Sequence, residues 1–134
     1  MSSLKVPPPV AELIGFERLS FGDGKCTMRL EAGPQHGNPM GTLHGGILCD
    51  LADGAMGMAF FTTCEEGETF TTLELKINFL RPFWTGTLLA HGWVVSRGKS
   101  VGMTECDVVD ENDRLIAKAA STVMALRGEA AQGR

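Results

Sequence analysis

One window of this 134-residue chain has the spacing of a long buried helix, and almost everything after it alternates with period two. From about Leu43 to Thr63, the residues Leu43, Ile47, Leu51, Ala55 and Ala59 recur every fourth position, as a helix with one buried stripe requires. After the polar turn Glu65–Glu68 the period changes. Leu73, Leu75, Ile77 and Phe79 alternate with Thr72, Glu74, Lys76 and Asn78, the pattern of a half-buried strand. The stretch Arg81–Gly86, with its proline, breaks that run. Three more strand-like runs follow, Thr87–Ser96, Ser100–Val109 and Arg114–Leu126, separated by Arg97-Gly98-Lys99 and by an Asp110–Asp113 turn. Ahead of the helix, Phe16–Phe21 and Lys25–Glu31 read as two short strands joined by Gly22-Asp23-Gly24. An irregular proline-rich lead and a helical turn around Val10–Ile14 precede them, and Ala32–Gly41 reads as a loop. One long helix, several strands and short connections predict a single α+β domain over residues 1–134, with the helix packed on one face of an antiparallel sheet.

Composition narrows the function. With 43% apolar residues the chain has enough material for a core. Its formal net charge of −4 comes without any run of Lys or Arg, which argues against nucleic acid, whose binding rests on phosphate neutralisation. The first ten residues hold no apolar stretch of signal-peptide length, and the apolar run around Ala55–Phe61 is too short to span a bilayer, so a cytoplasmic address and no membrane partner are expected. Cys26, Cys49, Cys64 and Cys106 are separated by gaps of 23, 15 and 42 residues, with no C-x-x-C pair. His36, His44 and His91 form no ligand pattern with one another or with the acids. Free thiols acting as small hydrophobic groups, and neither metal nor cofactor, are the expectation.

The helix carries residues that helices ordinarily avoid. Gly37, Gly41, Gly45 and Gly46 crowd its start, while Asp50, Asp53, Gly54 and Gly57 interrupt its apolar run. Glycines at a helix N-terminus either turn the chain or let a ligand approach backbone N–H groups that lack helical partners and sit at the positive end of the dipole. The second arrangement suits a developing oxyanion. Gly54 and Gly57 each lower helix stability by roughly 1 kcal/mol relative to Ala, which implies that a partner helix or a ligand packs closely there. Asp50 and Asp53 offer the same chemistry on adjoining helix faces, and position alone separates them weakly.

The segment Asn38…Gly41-Thr42-Leu43-His44-Gly45-Gly46, followed after four residues by Leu51-Ala52-Asp53, resembles the hotdog-fold acyl-CoA thioesterases, in particular the phenylacetate-pathway and 4-hydroxybenzoyl-CoA types. Their pattern is Asn or Gln, Gly-x-x-His-Gly-Gly, four residues, then Leu-Ala-Asp/Glu. The likeness extends over most of the chain, with Leu73–Pro82 in place of the family strand that leads into a proline turn. It implies a long central helix wrapped by an antiparallel β-sheet, hydrolysis of acyl-CoA to free acid and coenzyme A, and dimers that associate into homotetramers with sites between subunits. It selects Asp53 over Asp50, because the family acid lies nine residues after the histidine. By the same likeness Asn38 stands near the thioester carbonyl, His44 braces the loop, Gly45 and Gly46 form the carbonyl site, and Thr72 positions the attacking water. The Ser96–Ser100 stretch falls where relatives meet the nucleotide end of coenzyme A. Arg97, Gly98, Lys99 and Ser100 are therefore the candidate contacts, against the alternative of a basic hairpin tip in water. Some aryl-type members carry a Thr four residues past the acid, and here that position is Gly57.

Gly45 and Asp53 are eight residues apart, about 12 Å along a helix axis. If both act on one carbon, Asp53 must come from another copy of the chain. Asp53 then serves as general base or as nucleophile, alternatives that the sequence leaves open. Two other functions fit the same fold: a non-catalytic acyl-CoA-binding protein, and an enoyl-CoA hydratase or dehydratase. The first usually carries a DNA-binding segment, and the second wants a His beside the acyl β-carbon, to which His44 in a glycine turn is poorly suited. The acyl group is left open among aryl, short, medium and long chains.

Overall fold

The structure, a computed structural model, describes residues 7–133, so the first six residues of the N-terminal lead lie outside it. Helix α1 (Pro9–Ile14) is followed by β1 (Phe16–Gly22), β2 (Lys25–Ala32), helix α2 (Gly45–Phe61), β3 (Thr69–Phe79), β4 (Gly86–Arg97), β5 (Val101–Val109) and β6 (Leu115–Leu126). The six strands form one sheet in the order β1-β2-β4-β5-β6-β3, and every neighbouring pair is antiparallel. This is the expected α+β architecture, a long helix in the curl of a sheet, the hotdog fold. The β1–β2 turn closes on Asp23 and Gly24, both at positive φ (53° and 73°), which matches the twist of a tight hairpin.

Helix α2 is shorter at both ends than the apolar spacing predicts. Leu43 is buried, but it precedes the helix and donates its N–H to the Phe83 carbonyl at 2.7 Å. His44 is the extended N-cap, its Nδ1 accepting the Gly46 N–H at 2.9 Å. At the other end the Thr62 and Thr63 hydroxyls donate back to the Ala59 and Phe60 carbonyls (2.7 and 2.6 Å), and the Thr62 oxygen also accepts the Gly24 N–H at 2.7 Å. The buried face is Leu48, Leu51, Ala52, Ala55, Met56, Ala59 and Phe60. Ile47, expected in the stripe, lies at its margin and is only partly buried.

The sheet comes unusually close to this helix. A Cβ at Gly92 of β4 would lie 2.7 Å from the carbonyl carbon and oxygen of Ala55 and 3.0 Å from the Met56 nitrogen. Only glycine lets the helix backbone rest on the strand there. Ala90, Ala117 and Ala119 continue the small-residue floor beneath the helix.

Strand β3 departs from simple alternation. Thr72 pairs with Val123 and Glu74 with Thr122, so Leu73 is an extra residue, a β-bulge. Before the bulge Phe70 and Thr72 meet the helix; after it Leu75 and Ile77 join the core. Thr72 therefore faces inward rather than opposite to the core residues that follow it. Leu73, expected inward, is 53% exposed.

Candidate functional site

The residues singled out by the sequence fall into three groups along α2. At its N-terminus the loop is built by Asn38, whose Oδ1 accepts the Met40 and Thr42 N–H groups (3.0 and 3.1 Å) and whose Nδ2 donates to Thr42 Oγ1 at 2.6 Å. Gly41 sits at φ 92° and closes that turn. His36 is buried behind the loop, its two ring nitrogens engaged with the Gly33 N–H (3.0 Å) and the Ile14 carbonyl (2.6 Å), while its own carbonyl accepts the His44 N–H at 2.8 Å. The Gly46 N–H is engaged by the His44 ring. Among the described residues, the Gly45 N–H has no hydrogen-bond acceptor. It is the free first-turn donor, and it borders a cavity of about 360 Å³ lined in part by Asn38, Leu48, Phe79, Arg81 and Phe83.

The second group lies two turns along the helix. Asp53 is half-buried, and Thr72 Oγ1 from β3 donates to its Oδ1 at 2.9 Å. Burial pushes the Asp53 carboxyl above the usual carboxylate range; the Thr72 hydroxyl draws it back, and the nearby Asp50 charge pushes it up again. No cation pairs with Asp53 among the described residues. Asp50 is exposed and makes no side-chain hydrogen bond there. The two acids, alike in sequence, thus occupy different environments. Of the glycines beside Asp53, Gly57 has a close neighbour within the chain, whereas Gly54 meets only ordinary contacts. A Cβ at Gly57 would lie 2.7 Å from the Phe70 ring, and one at Gly54 3.4 Å from the Phe16 ring.

The third group is the β4–β5 turn at the far end of α2. The Arg97 guanidinium is folded inward: Nε donates to Thr63 Oγ1 at 2.8 Å, Nη1 to the Gly98 and Lys99 carbonyls (2.5 and 3.2 Å), Nη2 lies 3.8 Å from Glu68, and the group sits 4.6 Å over the Phe60 ring. Arg127 adds an ion pair to Glu68 and a hydrogen bond to Ser100 Oγ at 3.1 Å. Gly98 makes the turn tight, because a Cβ there would lie 2.7 Å from the Val101 carbonyl. Lys99 is exposed and has no ion pair among the described residues. Of the two basic residues expected at a phosphate, only Lys99 is unengaged.

Within one chain these groups are not brought together, since Gly45 and Asp53 sit on one continuous helix about 12 Å apart along its axis. Three residues that border the cavity, Phe79, Arg81 and Phe83, had not been singled out. Their signal was the proline turn closing β3, which the apolar pattern reads only as a strand end. Phe79 is the most telling of them, since its ring leaves 2.8 Å for a Cβ at Gly45.

Comparison with known proteins decides the class. A family model described as the thioesterase superfamily matches residues 40–117, more than half of the chain. The chain belongs to the thioesterase superfamily. Among curated relatives of this thioesterase, a 1,4-dihydroxy-2-naphthoyl-CoA hydrolase of Listeria monocytogenes is 30% identical over 112 residues, covering 84% of this chain and 91% of the relative. Human acyl-coenzyme A thioesterase 13 is 30% identical over 108 residues, covering 78% and 75%. Among solved structures, the conserved protein PA5202 of Pseudomonas aeruginosa superposes with a TM-score of 0.88 at 30% identity, covering 94% of this chain and all of that one. The E. coli PaaI protein from the phenylacetic acid degradation operon gives 0.87 at 25% identity, covering 95% and 91%. This thioesterase is thus an enzyme of the thioester-hydrolase class, which separates it from the binder and hydratase alternatives. No helix among the described residues is long and apolar enough to cross a membrane.

Proposed function

We propose that this thioesterase hydrolyses acyl-CoA, with Asp53 of one subunit acting on a carbonyl held by the Gly45 N–H of a second. The observation that carries the reading is the pairing of two unlike half-sites on one helix. One is a free first-turn N–H beside a cavity of mixed apolar and polar lining, and the other is a carboxyl whose pKa is raised by burial and which is held by Thr72. Neither half completes a hydrolytic site alone, and about 12 Å of helix separates them.

In the general-base form of the reaction, Asp53 takes a proton from water while the oxygen adds to the thioester carbon. The negative charge that develops on the carbonyl oxygen is met by the Gly45 N–H and the positive end of the α2 dipole. Collapse of the tetrahedral intermediate breaks the C–S bond, and the coenzyme A sulfur leaves as thiolate or takes up the proton. The Thr72 hydroxyl occupies Oδ1 and leaves Oδ2 for the water. Attack by Asp53 itself, through an acyl-enzyme anhydride, uses the same atoms. Asn38 and His44 act here by shaping and capping the loop that presents Gly45.

A second copy is proposed to dock along β3, the longer of the two edge strands of the sheet, as the first step to a homotetramer built as a dimer of dimers. Support comes from the length of that edge, 11 residues, and from the exposure of Leu73 (53%) and Phe79 (54%) on it. A long apolar edge left unpaired is an aggregation hazard that pairing removes. Lys99 is the proposed contact for a coenzyme A phosphate.

The test is release of free coenzyme A from aryl, short, medium and long acyl-CoAs, with the Asp53→Asn protein as control. Turnover that depends on Asp53 is the expected result. Turnover of the best substrate that survives Asp53→Asn sinks the proposal.

A further inference from the structure

Asp53 and Gly57 are one helical turn apart on α2, and Thr72 and Phe70 are two residues apart on β3. The two pairs oppose one another as rungs of a ladder. Four helical residues advance about 6 Å and two strand residues about 6.6 Å, so both rungs are in register. The upper rung is the Thr72 Oγ1 to Asp53 Oδ1 hydrogen bond of 2.9 Å. The lower rung is the Phe70 ring seated on Gly57, where an added Cβ would lie 2.7 Å from Cε2 and 3.0 Å from Cζ. The Phe70 ring is held in turn by Phe61 and Phe60, with centroids 5.9 and 6.5 Å away. Immediately after Thr72 the bulge at Leu73 interrupts the ladder to β6, so this short lead of β3 takes its distance from α2 separately from the strand that follows.

From this geometry we infer that Gly57 and Phe70 are positioning residues, whose contact fixes the gap between β3 and α2 at which Thr72 reaches Asp53. The inference rests on the reading of Asp53 as the reacting carboxylate. Glycine in a helix interior is unfavourable by roughly 1 kcal/mol relative to Ala, and here the absent methyl is what lets the ring sit down. A methyl at position 57 lifts the ring and carries Thr72 away with it. The Asp53 carboxylate then loses a donor to its charged form and binds its proton more readily. Its titratable neighbours on α2 are Asp50 and Cys49; on β3, Glu74 and Lys76 are exposed, and Glu68 is engaged by Arg97 and Arg127.

The experiment measures kcat, KM and the pH profile of kcat/KM on the best acyl-CoA for Gly57→Ala, Phe70→Leu and the double variant, each with and without Thr72→Val. Gly57→Ala is expected to lower kcat roughly 10- to 100-fold, the weight of one hydrogen bond to a charged group, with KM little changed. The acid limb of the profile, which reports protonation of Asp53, moves to higher pH. Phe70→Leu shifts the limb in the same direction, and the double variant returns toward the parent because the smaller side chain makes room for the methyl. Thr72→Val costs much less in the Gly57→Ala background than in the parent, since the bond is already broken. An unmoved acid limb in both single variants, with Thr72→Val costing the same factor in every background, overturns the inference. Should Gly57→Ala fail to fold, Phe70→Leu with and without Thr72→Val decides by the same two readouts. Failure of the underlying reading looks different: Asp53→Asn itself would retain turnover.

Discussion

Mixing two inactive parents tests whether the site is shared. One parent is Asp53→Asn, with the Gly45 end intact. The other is Gly45→Val, with Asp53 intact. The second lesion meets a side chain rather than the backbone: a Cβ at Gly45 lies 2.8 Å from Cζ of Phe79, and no backbone atom stands as close. The branched side chain then covers the N–H that meets the carbonyl oxygen, an interaction whose loss costs roughly 2.7–4 kcal/mol, or about 100- to 1,000-fold in kcat. In a hybrid dimer, one site joins the intact Gly45 of the first parent to the intact Asp53 of the second, and the other site combines both lesions. Random 1:1 exchange makes about half of the dimers hybrid with one working site in two, so activity should recover to roughly a quarter of the unmodified enzyme if the sites are independent. Co-expression with two different affinity tags supplies verified hybrids, and coenzyme A release is the assay. Verified hybrids without activity would refute the reading that Gly45 of one chain and Asp53 of its neighbour, about 12 Å apart within a single helix, act on one carbon.

Other perturbations follow from the same contacts. Asp53→Asn should lower kcat by roughly 100- to 10,000-fold, the range for a general base, while Asp50→Asn leaves it nearly unchanged. Because burial raises the folded-state pKa of Asp53, the native state binds that proton more readily than the unfolded chain, so its ionised form weakens the fold at neutral pH. Asp53→Asn should therefore raise Tm at pH 7, and the gain should shrink as pH falls through the raised pKa; a Tm difference independent of pH refutes this. Gly92→Ala forces a methyl against the Ala55 carbonyl at 2.7 Å, backbone that cannot turn aside, and should destabilise by about 1–3 kcal/mol or more in a urea titration. Arg97→Ala should lower Tm, since it unties Thr63 and the Gly98 and Lys99 carbonyls, whereas Lys99→Ala should leave Tm alone and raise KM, an effect that added salt mimics.

The sequence by itself determined the parts of this protein whose physics is local. Helix period, strand alternation and the Asp23-Gly24 hairpin are set by residues within a few positions of one another, and each appears where the pattern put it, to within a few residues. The His-Gly-Gly cap is local too, a side chain bonding an amide two residues on. The spacing to Asp53 even carried a distance, because a helix converts residue number into ångströms. What the tertiary structure alone decided concerns partners far apart in the chain. One extra residue at Leu73 puts Thr72 and Phe70 on the same face as Leu75 and Ile77, and nothing in the local alternation marks it. That single bulge is why Thr72 reaches Asp53, 19 positions earlier. Gly57 marked a close approach in the sequence, and the group that makes it is Phe70 of the same chain, 13 positions on. Arg97 read either as a contact for a coenzyme A phosphate or as a basic hairpin tip in water, and the fold sets Thr63 and Glu68 beside it. Composition and period describe what a residue prefers; which distant group takes up its hydrogen bonds or its missing volume is fixed only when the sheet closes around the helix.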